Sequence, residues 1–203
     1  MDDETSALDP LARYRREGET VCVELSLRTP RQLFDVRDPA PFRARDLDDD
    51  AVQWLVDAVE EVPRRTPVAF HLHFDEPLTA HGFTEAALID AIRAHFRYEL
   101  ARTRRGMRAL MQQGLWSALL AGALLAACMA AETALRPLAP TAHWAAVTRE
   151  GMVILGWVAL WRPLETFLFA WWPFAARIRL LRRVIAASVA VHDGQTSVLE
   201  RGE

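Results

Sequence analysis

The chain has 203 residues, a formal net charge of −3 and 51% hydrophobic residues. This composition excludes an intrinsically disordered chain and leaves room for one or two domains. The average hides an asymmetry, since residues 1–100 contain 12 Arg against 21 acidic residues, whereas residues 101–203 contain 12 Arg against 6. An acidic half followed by a basic, apolar half predicts a soluble domain joined to a membrane domain.

Several classes of protein are excluded by motif. The acidic start, Met1–Glu4, is followed by no apolar core and is not a secretory signal peptide. Cys22 and Cys128 are isolated and predict no disulfide framework. A strongly acidic domain repels phosphate, so we expect no nucleic-acid partner. The sequence contains no phosphate loop, nucleophile elbow or dinucleotide fingerprint, so we expect neither an enzyme nor a cofactor.

Two strands are predicted in the first half. After a polar, poorly ordered tail over residues 1–20, apolar residues alternate over Val21–Leu27 and again over Val68–Phe74. That alternation is typical of half-buried strands. Ala187–His192, near the other end of the chain, is the candidate for a third strand.

Helices follow each of the first two strands. Asp48 is predicted to cap a helix that carries one apolar stripe. Pro63 ends this helix. Thr84 caps a second helix that meets no proline before the first long apolar segment, and Gly106 and Gly114 are the predicted places for a break. The fold class is therefore a small α/β domain (β-α-β-α) fused to a two-span transmembrane hairpin with an interfacial amphipathic helix.

The first apolar segment is Ala109–Ala131, whose 23 residues carry no formal charge and can cross a ~30 Å hydrocarbon core. The second segment has two interpretations. In one, Ala142–Trp161 crosses the membrane and Leu164–Arg183 lies along its surface. In the other, Gly151–Trp172 crosses it and buries Arg162 at mid-membrane. A charge there costs ~2.5–3.5 kcal/mol, so we prefer the first.

Arginines beside the apolar segments set the predicted orientation, because cytoplasmic flanks carry the excess of basic residues. Four arginines lie within residues 102–108 and four within 177–183, while the segment between the spans is balanced. We therefore expect both termini in the cytoplasm of a bacterium, with the chain in its inner membrane.

The predicted divisions are a tail over 1–20, an acidic domain over 21–105, a first span over 106–135, an exterior loop and second span over 136–163, and an interfacial basic helix with the C-terminal segment over 164–203.

One long motif carries a resemblance to a known group. Residues 156–173 read GWVALWRPLETFLFAWWP, which resembles the G-W-V-x-x-W-R-P-L-E-x-F-L-x-x-W-W-P pattern of a group of uncharacterised bacterial membrane proteins. Residues 38–47, DPAPFRARDL, are similar to the P-F-x-x-R-D-L element of that group. The resemblance implies a two-span membrane protein with a cytoplasmic N-terminal domain, and it implies no activity.

A metal-like spacing occurs on the second strand. His71, His73 and Asp75 alternate and lie on one face, opposite the apolar side chains. Two imidazoles and a carboxylate are zinc ligands, and His81 is the candidate to complete the set. The competing interpretation, a solvated strand surface, is the one we prefer.

The membrane segments contain three further patterns. Arg162 and Glu165 are one helical turn apart, and they predict either a surface ion pair or a charged pair on a transport path. Aromatic and basic residues typical of membrane interfaces surround them: Trp157, Trp161, Trp171, Trp172, Arg177, Arg179, Arg182 and Arg183. Small residues at i+4 spacing predict close helix packing, within the chain or between copies: Gly114, Ala118, Gly122, Ala126 and Ala130.

These patterns favour a non-enzymatic membrane scaffold that forms homo-oligomers and displays an acidic cytoplasmic domain to a protein partner. Its other predicted contact is anionic lipid, through the arginines of the last helix. Two alternatives stay open. One is a small channel or transporter component that uses Arg162 and Glu165, and the other is a membrane-tethered metalloenzyme that uses the strand histidines.

Overall fold

The computed structural model describes residues 13–35, 47–135 and 143–193. The chain divides into two compact units, an α/β unit of residues 1–101 with 178–203 and a helical unit of residues 102–177. Four predicted segments lie at least partly outside the described residues: the N-terminal tail, the motif over residues 38–47, the start of the exterior loop and the end of the C-terminal segment.

A four-stranded mixed sheet forms the centre of the α/β unit. Its strands are β1 (Arg15–Glu17), β2 (Thr20–Leu27), β3 (Val68–Phe74) and β4 (Ser188–His192), in that spatial order. β1 is antiparallel to β2, while β2, β3 and β4 run parallel. The three predicted strands are present. β1 was not predicted, and the predicted tail over residues 1–20 therefore ends earlier.

Helix α1 (Asp49–Glu61) begins and ends where the sequence predicts. The Asp48 carboxylate accepts hydrogen bonds from the backbone N–H groups of Asp50 and Ala51, at 3.1 and 3.2 Å. This cap satisfies two N–H groups that have no partner inside the helix. Leu55 and Val59 of the apolar stripe are buried in the core. A short 3₁₀ turn, Pro30–Leu33, follows β2, and another, Leu78–His81, follows β3.

Helix α2 (Glu85–Leu135) has 51 residues and does not break at either predicted glycine. At ~1.5 Å per residue it is roughly 75 Å long. Its first part belongs to the α/β unit, where a row at i+4 spacing is buried: Leu88, Ile92, Phe96 and Leu100. Its second part, from Arg102, belongs to the helical unit.

The rest of the helical unit runs almost without interruption. α3 (His143–Glu165) contains Pro163 within its last turn and continues into a π-helical turn, Thr166–Ala170. α4 (Trp172–Ala186) follows, and its residues from Ile178 onward belong to the α/β unit. Two helical stretches, Glu85–Ala134 and Glu150–Ala186, are long and apolar enough to cross a membrane.

The end of α4 differs from the interfacial helix that the sequence predicts. Its apolar stripe, Ile178, Leu181 and Val184, is buried in the α/β core, and Leu181 is 0% exposed. An amphipathic pattern indicates that a helix has an apolar partner, and here the partner is protein. Arg179 and Arg182 stay exposed on the opposite side of the helix.

Arg183 also has a different environment from the predicted headgroup contact. Its guanidinium donates to four backbone carbonyls at the end of α1 and beyond it: those of Val59 (3.1 Å), Val62 (3.0 Å), Pro63 (3.0 Å) and Thr66 (3.3 Å). The last carbonyls of a helix lack partners within it and carry partial negative charge. Arg183 therefore caps the C-terminus of α1 from another element.

Candidate functional site

One face of the sheet is polar. Side chains alternate along each strand, so the residues that are offset by one from the buried Val23, Phe70 and Leu72 point to the other face. The register pairs Glu24 with His71, and His73 with His192. We call this set the polar sheet face: Arg15, Glu17, Cys22, Glu24, His71, His73 and His192.

Three histidines meet on the polar sheet face. His71 Nδ1 lies 3.2 Å from His192 Nε2, and the two rings stack with centroids 5.3 Å apart. The His73 ring stacks on His192 at 4.7 Å. Burial lowers the pKa of His73, the positive charge of a protonated His192 lowers it further, and Glu24 opposes the shift. The neutral imidazole, which can accept a proton or a metal, is therefore favoured there.

A second group on this face brings together three different ligand types. One ligand atom from each of Glu17, Cys22 and His71 lies within 4.8 Å of the other two. Cys22 is only 1% exposed, and burial is the main reason that the pKa of its thiol is raised. β1, β2 and β3 each supply one member, so the group exists only in the folded sheet.

The predicted metal set is only partly reproduced by this arrangement. His71 and His73 lie on one face as expected. Asp75, which is exposed at the end of β3, is not in the group of three ligands. His81 lies in a 3₁₀ turn, where its Nε2 is 2.6 Å from a Glu76 carboxylate oxygen. Sequence reasoning missed Glu17 because β1 was not predicted. It also missed Cys22, although the alternation in β2 already placed that residue opposite the apolar face.

The helical unit contains an antiparallel hairpin. Gly106 of α2 packs against Phe174, Gly114 packs against Thr166, and Leu125 packs against Gly156 of α3. Residues later in α2 therefore lie opposite residues earlier in the following helices, so the two helical arms run antiparallel. The second part of α2 thus packs along α4, the π-helical turn and the middle of α3.

The predicted row of small residues is split by this packing. Gly114 is buried, whereas Ala126 and Ala130 are exposed, and among the described residues a Cβ on Gly122 would meet no atom within 4 Å. In the part of α2 that belongs to the helical unit, the buried residues recur every seven positions, at Gly114, Ala121 and Cys128. Seven residues are close to two full turns, whereas a strict i+4 row rotates about 40° around the helix at each step. The later members of the row therefore leave the intrachain seam.

Arg162 and Glu165 are exposed on the surface of the hairpin. They line two adjoining grooves, one shared with Trp157 and Trp161 and the other with Phe169. Thr166 lies opposite Gly114. Arg162 comes four residues before Thr166, so in the antiparallel hairpin it is level with about Ala118, four residues after Gly114. Ala118 is roughly 13 Å from the start of the first apolar segment, at ~1.5 Å per residue.

The exposed surface of the helical unit includes large apolar side chains. Leu120 is 74% exposed, Trp116 is 73% exposed and Trp161 is 70% exposed. Trp171 packs edge-on against the ring of Trp172, with centroids 6.2 Å apart. Exposed apolar surface of this extent marks a site of contact with lipid or protein.

No family model matches this chain, and no curated protein or solved structure is significantly similar to it.

Proposed function

We propose that this chain is a non-enzymatic integral membrane scaffold of the bacterial inner membrane, which displays the α/β unit in the cytoplasm. One observation carries the proposal: β4, which follows the hairpin, pairs with β3, which precedes it. Both ends of the hairpin therefore join the same α/β unit. A hairpin that crosses the membrane must then cross it an even number of times, with both ends on one side.

Three further features support this architecture. The two helical stretches are long and apolar enough to span a bilayer, and large apolar side chains cover their exposed surface. Arginines flank the hairpin in the sequence where it joins the α/β unit, at residues 102–108 and 177–183, as the positive-inside rule requires for a cytoplasmic domain. The motif over residues 156–173 resembles that of bacterial two-span membrane proteins, and we propose membership of that group.

The hairpin register favours the second of the two spans considered for α3. If Ala109–Ala131 crosses the membrane, its opposite segment runs from about Arg149 to about Trp171. We therefore propose Gly151–Trp172 as the second span, with Arg162 and Glu165 near mid-membrane. Charges at that depth face protein or water rather than lipid, because exposure to hydrocarbon costs ~2.5–3.5 kcal/mol for each.

Labelling of single cysteines tests the topology. Both native cysteines are buried, so the unmodified chain is the blank. We expect a membrane-impermeant maleimide to label Ala142→Cys in intact cells. The same reagent should label Ala80→Cys, exposed in the α/β unit, only after the cells are opened. Labelling of Ala80→Cys in intact cells would contradict the proposed orientation.

The scaffold is proposed to assemble with itself. Gly122, Ala126 and Ala130 leave a strip of small residues outside the intrachain seam, and small residues allow close helix packing in lipid. We expect a homo-oligomer in mild detergent by native mass spectrometry, and we expect Gly122→Leu to shift it toward monomer. Leu124→Ala is the control, because it removes volume without blocking that strip. A monomeric wild-type chain would overturn the assembly.

A channel or transporter component is the second candidate function. The depth of Arg162 and Glu165 and the grooves beside them favour it. Ion flux across liposomes that contain the purified chain, compared with flux through Arg162→Gln, would distinguish this candidate from the scaffold.

A further inference from the structure

The three ligand types on the polar sheet face match the chemistry of zinc. Thiolate sulfur, imidazole nitrogen and carboxylate oxygen are the donors that proteins use for this ion. Cys22, His71 and Glu17 supply one of each, from three adjacent strands of one sheet. We propose that they bind one Zn²⁺ ion, with the fourth coordination position open to water or a ligand.

The distances fit this proposal after small side-chain movements. Zinc ligands lie about 2.0–2.3 Å from the metal, so two ligands of a tetrahedral ion are ~3.3–3.8 Å apart. The three atoms on the polar sheet face are within 4.8 Å of each other. Glu17 is an exposed side chain in the edge strand, and in the proposed site rotation about its side-chain bonds brings its carboxylate to the metal. Cys22 and His71 are held by the two central strands and need to move least.

His192 is a positioning residue in the proposed site. Its Nε2 lies 3.2 Å from His71 Nδ1. In the proposed site Nδ1 stays engaged with His192, which leaves Nε2 of His71 as the nitrogen to bind the metal. Zinc-bound histidines almost always have their second nitrogen hydrogen-bonded in this way, which fixes both the tautomer and the ring orientation.

The charges around the site balance a divalent cation. The guanidinium nitrogens of Arg15 lie 2.9 Å from a carboxylate oxygen of Glu17 and 3.7 Å from one of Glu24. With Cys22 as thiolate, two carboxylates and one guanidinium leave a net charge of about −2, which Zn²⁺ neutralises. Binding would release Glu17 from Arg15, and Arg15 retains Glu24 as its partner. A pocket lined by Cys22, Glu24 and Trp54 adjoins the proposed site at its cysteine.

Cobalt substitution tests the proposal directly. The full chain, purified in detergent, reduced and stripped with chelator, is titrated with Co²⁺, because a thiolate bound to Co²⁺ gives a charge-transfer absorption. We expect saturation at one equivalent of Co²⁺ per chain, and displacement by Zn²⁺. Cys22→Ser should remove the absorption, and His71→Gln should weaken binding more than about 100-fold, since changing a residue that only hydrogen-bonds to a metal ligand already costs about 10–100-fold. His192→Gln should weaken Co²⁺ binding by about 10–100-fold.

Matched variants keep the outcome interpretable. Cys128→Ser changes the other cysteine, in the helical unit, and His81→Gln changes a histidine paired elsewhere, so both should bind as the wild type does. Glu17→Gln leaves the core untouched and should weaken binding even if a Cys22 variant misfolds. Absence of the absorption in the wild type, or its persistence in Cys22→Ser, would overturn the site. Wild-type affinity in Glu17→Gln would remove Glu17 from the ligand set and with it the proposal.

Discussion

Replacing Arg183 with methionine is expected to lower the free energy of unfolding of the α/β unit by about 3 kcal/mol. The guanidinium donates to four carbonyls, three of them in part-buried bonds, and methionine keeps the aliphatic length but donates to none. Carbonyls that lose a donor while shielded from water each cost ~1–3 kcal/mol. Hydrogen exchange of the α1 and β3 amides in the full-length chain measures the loss.

Arg182→Met is the matched control for this change. Arg182 is the neighbouring arginine on α4 and is exposed, so its loss should change the free energy of unfolding by less than about 0.5 kcal/mol. Arg183→Lys should recover only part of the stability, because one ammonium cannot reach four carbonyls as a planar guanidinium does. Equal effects of Arg182→Met and Arg183→Met would show that charge, and not the carbonyl contacts, is what matters.

Replacing Gly156 with leucine is expected to destabilise the helical hairpin by about 3 kcal/mol, at the upper end for an overpacked site. A Cβ at this position would lie 2.5 Å from Leu125 Cδ1 and 3.2 Å from Leu125 Cα. The Cδ1 atom can rotate away, but the Cα atom moves only if the helices separate. Thermal unfolding of the full chain in detergent, followed by helical circular dichroism, should show the shift.

Two variants define what the Gly156 result means. Gly151 lies in the same helix, and no atom of the described part of the chain lies within 4 Å of an added Cβ there, so Gly151→Leu should have little effect. Adding Leu125→Ala to Gly156→Leu should restore part of the stability by removing Cδ1, while the contact with the backbone remains. If Gly151→Leu and Gly156→Leu behave alike, the hairpin register is wrong.

Local patterns predicted the elements of the α/β unit well. Alternation located β2 and β3, and Asp48 with Pro63 bounded α1, because these signals act within a few residues. β1 was missed because Arg15–Glu17 has only three residues, all exposed, and no apolar periodicity. Without β1, the ligand group that includes Glu17 could not be found from the sequence.

The partners of each surface were harder to predict than the elements. The stripe of Ile178, Leu181 and Val184 has the same pattern whether lipid or a protein core covers it, and only the fold distinguishes them. The small residues of α2 are a similar case. A strict i+4 row was visible in the sequence, but the helix twist carries Ala126 and Ala130 away from the buried seam.

The pairing of β4 with β3 has a consequence for biosynthesis. A ribosome synthesises α1, β1, β2 and β3 first, then the hairpin, and only afterwards the residues from Ile178 to His192 that complete the core and the sheet edge. Until that segment emerges, one side of β3 lacks its ladder partner and invites mispairing. On the proposed topology the segment can reach β3 only after both spans have been inserted correctly. Closure of the sheet would then act as a checkpoint, which leaves a chain with a misinserted hairpin open to cytoplasmic proteases.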